Sequence, residues 1–168
     1  MHAPFSLDQL FLMAFFALLA WAAFGDATRF RISNGTTLGL VLLYPAHVLA
    51  SPVPVEWLWA LAVAAGTFAA GLFLFARGVV GGGDVKLLAG AALWAGPKLI
   101  APLLLLMVLS GGVLALGAFV LEQCRRYRVA SAPGLDPRLD SDPTPARVPY
   151  GIAIAVGAAY VGARLVSG

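Results

Sequence analysis

Two carboxylates sit where a mostly uncharged chain leaves little reason for them. Asp26 closes the first apolar run and Asp84 opens the fourth. Ionisable groups at membrane depth are rare and costly, so each reads as functional. Two carboxyls brought close together cannot both ionise easily. They share a proton, one polarising water as general base while the other acts as acid toward a carbonyl. That is aspartyl peptidase chemistry, and because such a pair titrates as a unit, the sequence leaves acid and base unassigned. Gly81-Gly82-Gly83 runs directly into Asp84. Residues without Cβ let an extended substrate backbone approach and permit positive φ. A plainer alternative makes the glycines a flexible turn and Asp84 the N-cap of a helix beginning at Val85. A phosphate-binding loop does not fit, because Lys86 is not followed by Ser or Thr and the Walker spacing is missing.

The elements that must carry these acids follow from composition. Of 168 residues, 61% are hydrophobic and 11% charged, against about 25% charged in an ordinary soluble domain. The bilayer is the expected solvent. Apolar runs at 10–24, 37–50, 57–76, 85–95, 100–121 and 150–166 predict an all-α polytopic membrane protein of about six transmembrane helices. The fourth run would rise only about 17 Å as a helix, so the preceding Val79–Gly83 stretch is expected to complete that crossing as irregular backbone beside a hydrated pocket. The first run is expected to be a helix and not a cleaved signal peptide, since no Lys or Arg precedes Arg29.

Placing the N-terminus and the C-terminus outside leaves only Lys98 and Arg164 of the 11 basic residues on the outer side, as the positive-inside rule requires. Parity then brings Asp26 and Asp84 to the same, cytoplasmic face, since the first and third spans both run inward. The chain reads as one domain, 1–168, with an irregular cytoplasmic loop over 122–149, where four prolines precede Pro149. Arg29 and Arg31 read as topology anchors, and Trp57, Trp59 and Trp94 as an outer aromatic belt. Ala153/Gly157 and Ala158/Gly162 read as close helix packing. His2 and His47 are isolated, so no metal is expected; the lone Cys124 reads as a small apolar filler. The net charge of +3 is dispersed beside apolar runs, which fits anchoring in a bilayer and not nucleic acid.

Three ordered motifs carry a resemblance. Gly81-Gly82-Gly83-Asp84-Val85-Lys86-Leu87-Leu88, Asp26 followed by Arg29-Phe30-Arg31-Ile32-Ser33-Asn34, and Val148-Pro149-Tyr150-Gly151-Ile152-Ala153 together resemble the type IV prepilin peptidases, intramembrane aspartyl peptidases with a GxGD motif. The resemblance implies Asp26 and Asp84 as the catalytic pair, with Gly81, Gly82, Gly83, Lys86 and Asn34 binding substrate or shaping the site. It implies prepilin or pseudopilin substrates, whose short basic leader is removed at the cytoplasmic face of a bacterial inner membrane, with no cofactor. Ser33 stands where the family usually has proline. Only the stretch from Asp26 to Thr37 separates the first two runs, so the cysteine-bearing domain of bifunctional members is missing and N-methyltransferase activity is not expected. The compact form is most similar to the tight-adherence, Flp-type pilus peptidases. Two other readings use the same acids: a transport or ion-relay protein, and a non-catalytic pilus-assembly subunit. The sequence sets no oligomeric state.

Overall fold

The structure, a computed structural model, describes residues 7–130 and 148–167. It is all-helical: α1 spans Leu7–Arg29, α2 Asn34–Ala50, α3 Trp57–Ala76, α4 Gly82–Ala130 and α5 Tyr150–Ser167, with no strand among the described residues. Four helices are long and apolar enough to cross a membrane, while α2, at 17 residues, falls short. Their outer faces carry Trp21, Phe24, Leu72, Phe73, Val113 and Leu121, all at least half exposed. Water does not tolerate a surface so continuously apolar; hydrocarbon solvates it.

Local chemistry explains where the helices begin and stop. Ser33 caps α2, its hydroxyl accepting the Gly35 N–H at 3.2 Å, so the residue that departs from the family pattern has a defined task. α1 ends at Phe30, whose φ of +48° is unusual for a bulky side chain. Its N–H closes the last turn onto the Asp26 carbonyl at 2.9 Å. Inside α4, Pro97 excludes the α conformation at the residue before it, and Gly96 takes φ 55°, ψ −166°, which only glycine adopts without strain. Helix geometry therefore breaks at Gly96.

Pairings across the molecule show that this break is a reversal of direction. On the 82–95 leg, Val85 lies against Gly71 and Gly96 against Ala60, so this leg runs antiparallel to α3. On the 97–130 leg, Leu103 meets Gly157 and Gly111 meets Ala153, so this leg runs antiparallel to α5. α5 is itself antiparallel to α1, because Gly151 touches Asp26 and Gly162 touches Phe15 and Phe16. Trp94, at the end of the first leg, lies against Phe15 of α1, while Gly83 at its start lies against Ile32, just beyond the end of α1, so the first leg runs antiparallel to α1 and hence to the second.

α5 is the centre of the bundle. Eight of its 18 residues are buried, against two of 20 in α3, so α5 packs on protein while α3 faces lipid on most sides. Its small residues permit this. A Cβ at Gly157 would lie 2.6 Å from the Leu103 carbonyl oxygen, and one at Gly162 2.6 Å from Phe16 Cζ. The expected packing role of these glycines is what the contacts show.

Several element boundaries differ from the sequence reading. α1 continues past residue 24, because Gly25-Asp26-Ala27-Thr28 keeps helical hydrogen bonding, and Asp26 lies in its last turn and not beyond it. α4 begins at Gly82, so two of the three glycines are helical and only 77–81 is irregular. At the far end α4 continues to Ala130, and 122–130 is helix where a loop was expected. An Arg126–Glu122 ion pair one turn apart supports that extension. The rest of the expected loop, 131–147, and His2 lie outside the described residues. Cys124 is exposed, not a buried filler.

Candidate active site

The three segments singled out by sequence converge at one end of the bundle. Asp26 comes from the last turn of α1 and is 5% exposed. A carboxylate at a helix C-terminus faces partial negative charge, so it needs donors from elsewhere. α5 supplies one: the Gly151 N–H donates to Asp26 Oδ2 at 2.6 Å, while the next amide, Ile152, turns back to the Pro149 carbonyl at 3.2 Å. The Gly151 amide is an orphan donor of a helix N-terminus, the natural partner of an anion. Gly151 is obligatory there, since a Cβ would fall 2.7 Å from Asp26 Oδ2 and 2.9 Å from its Cγ.

Asp84 sits in the first turn of α4, half-buried, with its carboxylate beside Gly81. With Gly82 as the first helical residue, Asp84 is the third, and its side chain reaches back toward the residue preceding the helix, the place of the acid in a capping box. It is therefore not the N-cap residue. A Cβ on Gly81 would lie 2.8 Å from Asp84 Oδ2, so the glycine leaves that carboxylate room. The Asp26 and Asp84 carboxylates lie within electrostatic reach of each other.

The other expected site residues frame the pair. Gly83 packs under Ile32, where a Cβ would stand 3.3 Å from Ile32 Cβ, and Gly82 lies against Phe75. Lys86 Nζ donates to Asn34 Oδ1 at 3.0 Å. That bond ties the start of α2 to the first turns of α4 and presses the α1–α2 connection onto the glycines. Lys86 and Asn34 are thus linked to each other, and the contact shows a strap holding two segments together. Gly151 is the contact that motif reading did not single out. It stood inside the Pro149-Tyr150-Gly151 motif, but nothing local indicates that its amide meets an acid 125 positions away. A groove lined by Ala115, Phe119, Glu122, Arg126 and Val148 lies farther along α4 and includes neither aspartate.

The opposite end holds a polar cluster that the sequence reading did not anticipate. His47 is 4% exposed, and its Nδ1 lies 2.6 Å from Asp8 Oδ1, so the histidine is paired and not isolated. Its ring stacks on Trp94 at 4.9 Å and 22°. Trp94 in turn donates its indole N–H to the Leu40 carbonyl at 3.0 Å and is 3% exposed. It belongs to the core and not to an aromatic belt, because its polar edge finds a partner inside the protein. Trp57 and Trp59 remain exposed. Among the described residues no group of three or more His, Cys, Asp or Glu side chains is placed to hold a metal.

Chemically, the aspartate end offers two neighbouring carboxyl groups, a fixed backbone donor and a glycine-rich rim, the requirements for activating water against a carbonyl. No curated protein and no solved structure matches the chain. The model of the type IV leader peptidase family matches residues 13–116, more than half of the chain and a stretch holding both Asp26 and Asp84. The chain is a member of the type IV leader peptidase family.

Proposed function

We propose that this protein is a prepilin leader peptidase that uses Asp26 and Asp84 to activate water and cuts the short basic leader of type IV or Flp-like prepilins at the cytoplasmic membrane face. The observation that carries the reading is the meeting of both carboxylates at one end of the bundle, beside Gly81, Gly82 and Gly83. On this reading α2 and the two legs of α4 are separate crossings, giving six in all with both termini outside. Asn34 and Lys86 shape the rim that receives the substrate backbone. Only residues 30–33 lie between α1 and α2, which supports a peptidase without N-methyltransferase activity and of the compact Flp type.

The test is cleavage of a Flp-type prepilin co-expressed in membranes with the wild-type chain, Asp26→Asn or Asp84→Asn, read as a gel shift with folded peptidase measured in parallel. The expected result is leader removal by wild type and full-length substrate with both variants at normal abundance. Variants that cut as well as wild type would return the chain to a non-catalytic assembly role. An intact substrate with the wild-type chain as well would remove Flp-type prepilins as the substrate.

A further inference from the structure

The aspartate pair is not symmetrical. We propose that Asp26 is the carboxylate that stays ionised and takes the proton from water, while Asp84 carries the shared proton and gives it to the scissile carbonyl. This assignment rests on the peptidase reading above.

The two acids differ in what holds them. The donor on Asp26 is the Gly151 N–H at 2.6 Å. It belongs to the first turn of α5, which cannot rotate away because Ala153, Ile154, Gly157 and Ala158 are buried in the centre of the bundle. A backbone amide only donates, and its bond to a charged oxygen is stronger than its bond to a neutral one. A fixed amide at a helix N-terminus therefore favours the acceptor-only, ionised form. Asp84 has no such fixed donor: the backbone beside its carboxylate is Gly81, which precedes its helix in an exposed, non-helical stretch. Nearby cations do not reverse the order: Lys86 Nζ is engaged by Asn34 at 3.0 Å, and Arg29 and Arg31 are exposed. Asp84 is the less buried of the two acids by exposed area, Asp26 being 5% exposed, so its carboxyl can face an incoming carbonyl; burial alone favours a neutral Asp26, and the Gly151 bond at 2.6 Å is what opposes it.

The steps balance. Water adds through oxygen to the carbonyl carbon; its proton passes to Asp26, and the Asp84 proton passes to the carbonyl oxygen, leaving a neutral gem-diol. Asp26 then protonates the departing amide nitrogen as the C–N bond breaks. Asp84 takes back a proton from a gem-diol hydroxyl as the carboxylic acid product forms, and both acids return to their starting states.

Two esterification reagents of opposite demand test the assignment on the purified full chain in detergent, without substrate. A nitrophenoxy epoxide is opened by an ionised carboxylate. A diazoacetyl ester with Cu(II) loses N2 and inserts into the O–H of a protonated one. Peptide mass mapping is expected to place the epoxide adduct on Asp26 and the diazo adduct on Asp84, each favoured by about tenfold, the discrimination that one charge-assisted hydrogen bond supplies. Gly151→Ala should erase that preference in the folded fraction, with folded protein measured in parallel. Epoxide on Asp84, equal labelling of both, or no Asp26 adduct in a sample where the exposed Glu56 is labelled would each overturn the assignment, as would a preference that survives Gly151→Ala. Because no substrate is involved, selective labelling with no prepilin cleavage would count against the prepilin substrate alone and leave the asymmetry standing.

Discussion

Asp8 and Asp26 stand near the two ends of the same helix, and the partners they find differ in kind. Asp8 meets a side chain, the His47 imidazole at 2.6 Å, roofed by Trp94 and flanked by Tyr44. Asp26 meets a backbone amide, with glycines where side chains would otherwise fill the space. The Asp8–His47 pair is mostly buried and its imidazole lies against an aromatic ring, so it ties α1 to α2. Asp26 instead lies against a backbone amide, in reach of a second acid and beside glycines that lack Cβ atoms. Burial is similar for His47 and Asp26, so the two ends differ in what surrounds the buried ionisable group and not in burial itself.

The widest gap between the two ends should show in rate. Asp84→Asn is expected to lower leader cleavage by about 10²- to 10⁴-fold, the usual contribution of a positioned general acid or base, at unchanged abundance. Asp8→Asn should stay within a few-fold of wild type per folded molecule. Equal losses of rate from the two would dissolve the contrast. On stability the order reverses. His47→Ala leaves Asp8 without its partner in a largely apolar setting and removes the ring under Trp94, a loss of about 3 kcal/mol, read as a lower unfolding midpoint in detergent with cleavage per folded molecule retained.

Gly151→Ala sharpens the comparison from the other side. Its Cβ would displace the Asp26 carboxylate, and a misplacement of that size typically costs about 10²-fold in rate. The added methyl also overpacks a buried position, which typically costs about 1–3 kcal/mol, so the rate is read per folded molecule. The smallest effect is expected at the strap. Asn34→Ala removes one exposed hydrogen bond to Lys86, worth about 0.5–1 kcal/mol. It should appear as a raised KM for prepilin with kcat largely kept; a fall in kcat as large as that of Gly151→Ala would show that the strap positions the acids themselves.

Both aspartates were legible before any tertiary information because charge is conspicuous in an apolar chain and glycine next to it is conspicuous again. The helices were legible because long apolar runs have few alternatives in a bilayer. Boundaries were less so: hydropathy ends at residue 24, but hydrogen bonding carries α1 to Arg29, and the same mismatch extends α4 backward to Gly82 and forward to Ala130. The break at Gly96 was visible as Gly-Pro, a local steric rule.

Sequence alone thus determined the solvent of this protein and the type of its secondary structure, and singled out Asp26 and Asp84 as candidates, because each depends on composition or on neighbours a few residues apart. Only the tertiary structure decided that Gly151 holds Asp26 from 125 residues away, that Asp8 and His47 pair across 39, and that Trp94 turns inward from the expected belt. Those outcomes depend on which helix faces which, and that is set by the packing of small residues on α5 against α1 and α4, a property of the assembled bundle that no single segment encodes.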